Sequence, residues 1–158
     1  MRLDEYARYD AVGLMQLLRS GQVGADELQR CAIAAIERLN PQLNFMAGEV
    51  RDDERCLAGG PFHGLPFLLK EGLGWSGGAA AMGSRLARGI RVATESEITR
   101  RLRHAGVRIL GETAAPELGI YPVTESGRHG ATRNPWNLAH SPGGSSGGAS
   151  AAVAAGVV

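Results

Sequence analysis

One lysine is the residue of this sequence that is most suited to acid–base chemistry. Among the 17 basic residues only Lys70 is a lysine, and all the others are arginines. The residues before it, Leu65 to Leu69, are apolar throughout, so the chain delivers this amine beside a hydrophobic core. An arginine keeps its proton in proteins, whereas a buried lysine can lose it because desolvation disfavours the charged form. The pattern favours a general base at Lys70, with a solvent-facing lysine at a strand end as the alternative.

A run of glycine and serine, SPGGSSGG over residues 141–148, is the second feature that could do chemistry. It is not a Walker phosphate loop, because no lysine follows the glycines. The spacing Gly144-x-Ser146-x-Gly148 fits a nucleophile elbow, but no apolar strand precedes it and no acid or histidine follows it. Residues 134–158 carry no formally charged side chain, which argues against a flexible linker. We therefore predict a structured loop that opens a tightly packed helix of small residues.

The other candidates for metal or redox chemistry form no motif. Cys31 and Cys56 lie far apart without CxxC or zinc spacing, which favours reduced thiols, a cytoplasmic protein and no bound metal. Two glutamates in predicted turns, Glu117 and Glu125, are expected to be solvated, with the shaping of a pocket as the alternative. The histidines also lack metal-ligand spacing and are expected at surface or loop positions. They are His63, His104, His129 and His140.

Charge and composition exclude several classes of partner. The 158 residues have a formal net charge of +1, which gives no electrostatic reason to expect binding to nucleic acid or to an anionic membrane. The first ten residues include Asp4, Glu5 and Asp10 and have no apolar centre, so they do not form a signal peptide. The apolar stretch near the C-terminus is too short and too rich in glycine and serine to span a bilayer.

The first 40 residues predict a helical scaffold without chemistry of its own. Asp10 is a suitable N-cap for a helix that carries Leu14, Leu17 and Leu18 on one face. A second helix is predicted from about Ala25 to Leu39, with small and aliphatic residues on its buried face. The dipeptide Asn40-Pro41 is expected to end this second helix.

The following part predicts an α/β arrangement. Leu65–Leu69 has the composition of a buried strand, and the glycine-rich stretch 75–89 indicates a loop packed close to other atoms. The capping box from Thr94 to Glu97 predicts a helix with Ile98, Leu102 and Ala105 on its buried face, ending at Gly106. A second strand is expected at 107–110. Strand, helix and strand in this order are typical of an α/β sheet. The segments predicted here are 65–69, 75–89, 94–106 and 107–110.

Six stretches of the chain occur in the order found in one known family. They are Gly64–Lys70, Gly83-Ser84, Ala105–Gly111, Thr124–Ser126, Gly130–Trp136 and Ser141–Gly148. The most specific of them read ATRNPWNL and SPGGSSGG. From about Asp10 to its end, the chain resembles the amidase signature family.

The resemblance implies a fold, an activity and a set of site residues. Members of this family have a mixed β-sheet flanked by helices, and they hydrolyse or transfer from carboxamides without a metal or other cofactor. They use a nucleophilic serine, a second serine and a lysine. By resemblance Lys70 is the catalytic lysine and Ser145 the bridging serine, preceded by a cis peptide bond. The neighbours that shape the loop and hold substrate are Gly143, Gly144, Ser146 and Gly147.

Three features depart from the family pattern. Glu71 stands where an aspartate is usual, and Glu112-Thr-Ala114 stands where Lys-Thr-Asn is common. The nucleophilic serine and the oxyanion hole of the family lie in a later Gly-Gly-Ser segment, and this sequence stops at Val157-Val158 before reaching it. We expect residues 1–158 to be the N-terminal part of one amidase domain, with a helical scaffold at about 10–40 and a catalytic portion at about 60–158.

The resemblance implies an amide hydrolase that acts on a small-molecule amide. The alternatives are a component of a tRNA-dependent amidotransferase, which uses the same chemistry to supply ammonia, and a catalytically inert fragment. Because these residues supply only the base and the bridging serine, we expect the 158 residues alone to be inactive. Because apolar elements are left without their family partners, we also expect homo-oligomers or marginal stability.

Overall fold

Two parallel strands joined through a helix form the centre of the molecule. The computed structural model describes residues 1–51 and 59–158. Strand β1 (Pro66–Lys70) pairs in parallel with β2 (Arg108–Thr113), and the helix between them covers residues 97–105. The register places Lys70 beside Thr113 at the carboxyl ends of both strands. The predicted α/β class is confirmed. Strand β1 is displaced by one residue from its predicted bounds, whereas β2 starts one residue later and ends three residues later than predicted. Cys56 and most of the connection after residue 51 lie outside the described residues.

Helices and strands share two hydrophobic clusters, one on each face of the strand pair. Helices α1 (Leu3–Tyr6), α2 (Ala11–Arg19) and α3 (Ala25–Leu43) precede β1 in the chain. The larger cluster joins them to Leu68 and Leu110, and the smaller one contains Leu69, Trp75, Val107 and Ile109. Because successive side chains of a strand point to opposite faces, Leu68 and Leu69 enter different clusters.

The N-terminal helices follow their predicted signals except at one end. Asp10 caps α2 as expected, and its Oδ1 accepts a hydrogen bond from Gly13 N at 2.8 Å. The prediction that Asn40-Pro41 ends the second helix was wrong, since α3 continues through Pro41 to Leu43. Asn40 acts one turn later instead, because its Oδ1 accepts hydrogen bonds from the backbone N–H groups of residues 45 and 46, each at 2.9 Å.

Helix α4 (Glu97–Ala105) begins at a different cap from the predicted one. Ser96, rather than Thr94, is the N-cap, and its hydroxyl also binds the carbonyl oxygen of Leu73 in the loop after β1. Thr99 Oγ1 donates to the same oxygen at 3.0 Å. This anchor turns Ile98 to solvent, with 51% of its surface exposed, so the predicted buried face was wrong at that position. The helix ends at Gly106, as predicted, with φ = +93°.

The C-terminal part contains two short strands and one helix. Strands β3 (Glu125–Ser126) and β4 (Gly130–Ala131) form an antiparallel hairpin, and helix α5 (Gly147–Ala154) starts at the glycine–serine loop as predicted. Between residues 75 and 89 the chain forms turns, also as predicted. Within the described part of the chain, no helix is both long and apolar enough to cross a membrane.

Candidate active site

Lys70 and Ser145 are brought together across 75 residues of sequence. Lys70 is the last residue of β1, and Ser145 lies in the loop before α5. The Lys70 Nζ and Ser145 Oγ atoms are 2.6 Å apart and form a partly buried hydrogen bond. The apolar run before Lys70 explains the position of the amine, because a buried strand carries it to the edge of the core beside the glycine–serine loop.

The backbone of this loop adopts conformations that require glycine. The peptide bond between Gly144 and Ser145 is cis, as the family resemblance implies, and Gly143 has φ = +90°. A Cβ atom at Gly144 would lie 2.7 Å from the carbonyl oxygen of Tyr121. The absence of a side chain at Gly144 therefore lets the loop pack directly against the backbone of residues 121–123.

Helix α5 begins in equally close contact with its surroundings. A Cβ atom at Gly148 would approach the backbone nitrogen of Ala114 to 2.5 Å, and Gly148 N donates a hydrogen bond to the carbonyl oxygen of Ala114 at 3.2 Å. Gly147 N donates to Thr124 Oγ1 at 3.0 Å, and that hydroxyl donates to the carbonyl oxygen of Gly143 at 2.8 Å. The Thr124 hydroxyl thus holds the loop by hydrogen bonds on both sides of Ser145, a role that was not predicted from the sequence.

The second serine of the loop has a different environment. Ser146 is exposed, occupies the N-cap position of α5 and makes no capping hydrogen bond with its side chain. Its carbonyl oxygen accepts hydrogen bonds from the backbone N–H and the hydroxyl of Ser150, at 3.0 and 3.2 Å. Of the two adjacent hydroxyls, the geometry therefore brings that of Ser145 to the lysine.

Glu71, the residue after Lys70, belongs to a separate buried contact. Its side chain is fully buried, and its Oε2 accepts a hydrogen bond from Gly83 N at 2.9 Å. The same oxygen lies 2.9 Å from His129 Nε2. His129 lies in the turn between β3 and β4, in agreement with the expected surface or loop position, but only 11% of its side chain is exposed because the ring contacts Glu71. The other three histidines, His63, His104 and His140, are exposed as predicted.

A second buried carboxyl group lies near Glu71. Glu112 is 8% exposed, and its Oε2 accepts a hydrogen bond from Ala79 N at 3.0 Å. Burial raises the pKa of Glu112, and the nearby charge of Glu71 acts in the same direction. Both glutamates also have a buried Oε1 atom without a hydrogen-bond partner among residues 1–51 and 59–158.

The two turn glutamates differ in their contacts. Glu117 lies in a short 3₁₀ helix (Glu117–Gly119), and its Oε1 accepts a hydrogen bond from the buried Ser84 hydroxyl at 2.7 Å. This contact ties the glycine-rich loop to the segment after β2. Glu125 is exposed at the start of β3, as expected for a solvated carboxylate.

Comparisons with known proteins identify the family. The family model described as Amidase matches residues 24–158. The chain belongs to the amidase family, that is, to the amidase signature enzymes, which hydrolyse amide C–N bonds.

Individual relatives include hydrolases and one component of an amidotransferase. The chain is 40% identical over 152 residues to the 6-aminohexanoate-cyclic-dimer hydrolase of Paenarthrobacter ureafaciens, covering 92% of this chain and 31% of the relative. It is 39% identical over 153 residues to the A subunit of glutamyl-tRNA(Gln) amidotransferase of Synechococcus sp. (strain CC9605), covering 89% and 31%. The chain thus spans about a third of the length of these curated relatives.

Solved structures share the fold. The structure of 6-aminohexanoate cyclic dimer hydrolase matches with a TM-score of 0.87 and 38% identity, covering 96% of this chain and 32% of that one. A bacterial aryl acylamidase of the amidase signature family matches with a TM-score of 0.84 and 27% identity, covering 95% and 34%.

Proposed function

We propose that residues 1–158 supply the general base and the bridging serine of an enzyme that hydrolyses a small-molecule carboxamide. The observation that carries this proposal is the contact of 2.6 Å between Lys70 Nζ and Ser145 Oγ. It joins the only lysine of the sequence to the hydroxyl of Ser145, which the family resemblance assigns as the bridging serine. Membership of the amidase family supports the same chemistry.

The two groups form a proton relay in this proposal. A neutral Lys70 amine accepts the proton of the Ser145 hydroxyl, while Ser145 Oγ accepts the proton of a nucleophilic hydroxyl that attacks the amide carbon. The protons then return along the same path to the nitrogen of the departing amine. By family resemblance the nucleophile is a serine of a later Gly-Gly-Ser segment.

The glycines of the loop have a supporting role. Gly143 gives the backbone before Ser145 its positive φ, and Gly144 and Gly147 allow close packing on either side of it. We propose that these glycines form part of the wall along which the amide lies. Ser146, which is exposed beside them, is proposed to contact substrate rather than to relay protons. The substrate class is a carboxamide, since two of the matched relatives are named as hydrolases of a cyclic dimer of 6-aminohexanoate.

The test is a panel of amide substrates. It is applied to a polypeptide that continues through the Gly-Gly-Ser segment required by the proposal, which we call the complete polypeptide. The panel contains the cyclic dimer of 6-aminohexanoate, an aryl acylamide and simple primary amides, with release of amine or ammonia as the readout. Lys70→Arg keeps the charge but removes the base, so kcat is expected to fall about 100- to 10,000-fold while the melting temperature is unchanged. Arg88→Lys, at an exposed position, is the matched control and should leave kcat unchanged. Near-normal turnover by Lys70→Arg would contradict the assignment of Lys70 as the general base.

The amidotransferase relative gives the second candidate function. Its sequence matches 89% of this chain at an identity close to that of the hydrolase. An amidotransferase component would release ammonia only with its partner proteins and tRNA, whereas a hydrolase acts on free amides alone. The same panel, run with and without these partners, separates the two.

Three further expectations stay predictions. They are the division into a scaffold at about 10–40 and a catalytic portion at about 60–158, the homo-oligomer, and the cytoplasmic location. Sedimentation of the purified polypeptide tests the homo-oligomer directly.

A further inference from the structure

A single hairpin touches both segments that carry the proposed catalytic pair. The segment 124–132, which contains β3 and β4 and which we call the brace, lies between the end of β1 and the glycine–serine loop. It contacts Glu71, the neighbour of Lys70, at one end and the residues flanking Ser145 at the other.

The first end of the brace is the contact between His129 and Glu71. His129 Nε2 lies 2.9 Å from Glu71 Oε2, and in the tautomer that carries its proton on Nε2 the ring donates a hydrogen bond to this oxygen. The glutamate side chain is fully buried, and a buried carboxylate requires such donors to offset its lost hydration. His129 therefore fixes the residue that follows the catalytic lysine in sequence.

The second end of the brace is Thr124. Its hydroxyl donates to the carbonyl oxygen of Gly143 at 2.8 Å and accepts from Gly147 N at 3.0 Å. These two glycines stand on either side of Ser145 in the chain. One side chain thus closes the loop that carries the bridging hydroxyl.

Hydrogen bonds within the brace connect its two ends. Thr132 N donates to the carbonyl oxygen of Thr124 at 2.9 Å, and His129 N donates to Ser126 Oγ at 2.9 Å. Asn44, at the end of α3, donates through Nδ2 to the carbonyl oxygens of His129 and Ala131 at 2.7 and 3.1 Å. The hairpin is therefore held to the helical scaffold as well as to itself.

We propose that the brace sets the distance between Lys70 Nζ and Ser145 Oγ, with His129 and Thr124 as positioning residues. The inference rests on the proposed function, in which these two atoms exchange a proton. A lysine side chain has four flexible carbons, and Ser145 lies on a loop, so neither atom is fixed by its own segment alone. Proton transfer needs heavy atoms within hydrogen-bond reach, and a displacement of about 1 Å can lower a rate about 100-fold.

The experiment compares four variants of the complete polypeptide on an amide that the wild type hydrolyses. His129→Phe fills the same space without an N–H donor, and kcat is expected to fall about 100-fold with KM unchanged. His129→Gln offers an amide donor in place of Nε2–H and should restore most of this loss. Thr124→Val keeps the shape at the other end of the brace but removes the hydroxyl, and it should also lower kcat rather than raise KM.

The fourth variant, Arg103→Gln, is the control for loss of stability alone. It removes a partly buried ion pair between Arg103 Nε, on α4, and Glu95 Oε1, just before this helix, at 2.7 Å. The melting temperature should fall while kcat stays at the wild-type value. The proposal is overturned if His129→Phe and Thr124→Val behave like this control, or if His129→Gln is no more active than His129→Phe.

Lys70→Arg, assayed beside these variants, separates the two proposals. If Lys70→Arg is inactive while the brace variants turn over normally, the brace has no positioning role and the proposed base stands. If Lys70→Arg is active, the proposed base fails, and the positioning role fails with it.

Discussion

Lys70 and Glu71 are neighbours in the chain, yet they enter two different environments at the end of β1. The lysine amine meets the hydroxyl of Ser145 at a loop made of glycines and serines. The glutamate carboxylate is fully buried, meets His129 and lies close to a second buried carboxyl, that of Glu112. On one side an amine meets a hydroxyl group, and on the other side two carboxyl groups lie close together.

This difference shows how a strand end can keep a base and an acid apart. A carboxylate in contact with an amine favours the charged amine, which cannot accept a proton. Lys70 is the last residue of β1 and Glu71 lies in the turn that follows, where the two side chains meet different partners. The histidine partner then holds the Glu71 carboxylate on its own side, so the amine of Lys70 is left to the serine.

The largest loss of catalytic rate is expected from substitutions at the contact between Lys70 and Ser145. Ser145→Ala removes the hydroxyl that contacts Lys70 Nζ, so the acylation rate of the complete polypeptide should fall about 100- to 10,000-fold. Ser146→Ala, at the exposed neighbouring serine, should lower this rate less, because the hydroxyl that contacts Lys70 Nζ is that of Ser145. Single-turnover kinetics on an activated amide measure both. A larger loss at Ser146 would reverse the assignment.

The elements that the sequence predicted well are those with local signals. Asp10 caps α2 through its own side chain, Gly106 ends α4 with a positive φ, and the apolar run at 65–69 forms a buried strand within about one residue. In each case the physical cause lies within a few residues of the effect. The same holds for Lys70, whose position follows directly from the strand before it.

The features that the sequence did not reveal depend on distant contacts. Most of the His129 side chain is covered where it contacts Glu71, 58 residues away, and a lone histidine in a turn carries no sign of this contact. Both Thr94 and Ser96 fit a helix cap, and the carbonyl oxygen of Leu73 decides in favour of Ser96. Thr124 was part of the family motif, but its two contacts with the serine loop are tertiary.

An intermediate effect, on the free energy of unfolding, is expected from the glycines that allow close packing around the loop of Ser145. Gly148→Ala forces a methyl group to within 2.5 Å of Ala114 N, which overpacks the start of α5. The free energy of unfolding should fall by about 1–3 kcal/mol. Gly48→Ala is the control, because no atom of residues 1–51 and 59–158 lies within 4 Å of its added Cβ. Urea unfolding of the complete polypeptide measures both, and equal stabilities for the two variants would contradict the packing argument.

The smallest effect is expected on folding stability, from the buried carboxyl group of Glu112, and it depends on pH. Burial raises the pKa of Glu112 above its ordinary value of 4.5, so the folded protein binds this proton more tightly than the unfolded chain. Stability from this group is therefore present below pH 4.5 and is lost as pH rises through the raised pKa of the folded state. Glu112→Gln has no proton to lose. Relative to the wild type, this variant should gain stability as pH rises above 4.5.

Glu97 provides a control of opposite sign for this measurement. Hydrogen bonds from Arg100 and then Arg101 lower the pKa of Glu97 to about 2, so its stabilising contribution is lost as pH falls below 4.5. Glu97→Gln should therefore differ from the wild type above that pH and approach it in acid, and the difference should be slight because the pair is exposed. Urea unfolding across this pH range compares both variants with the wild type. Parallel curves for Glu112→Gln and the wild type would show that the acidic side of β1 carries no buried charge that titrates with folding.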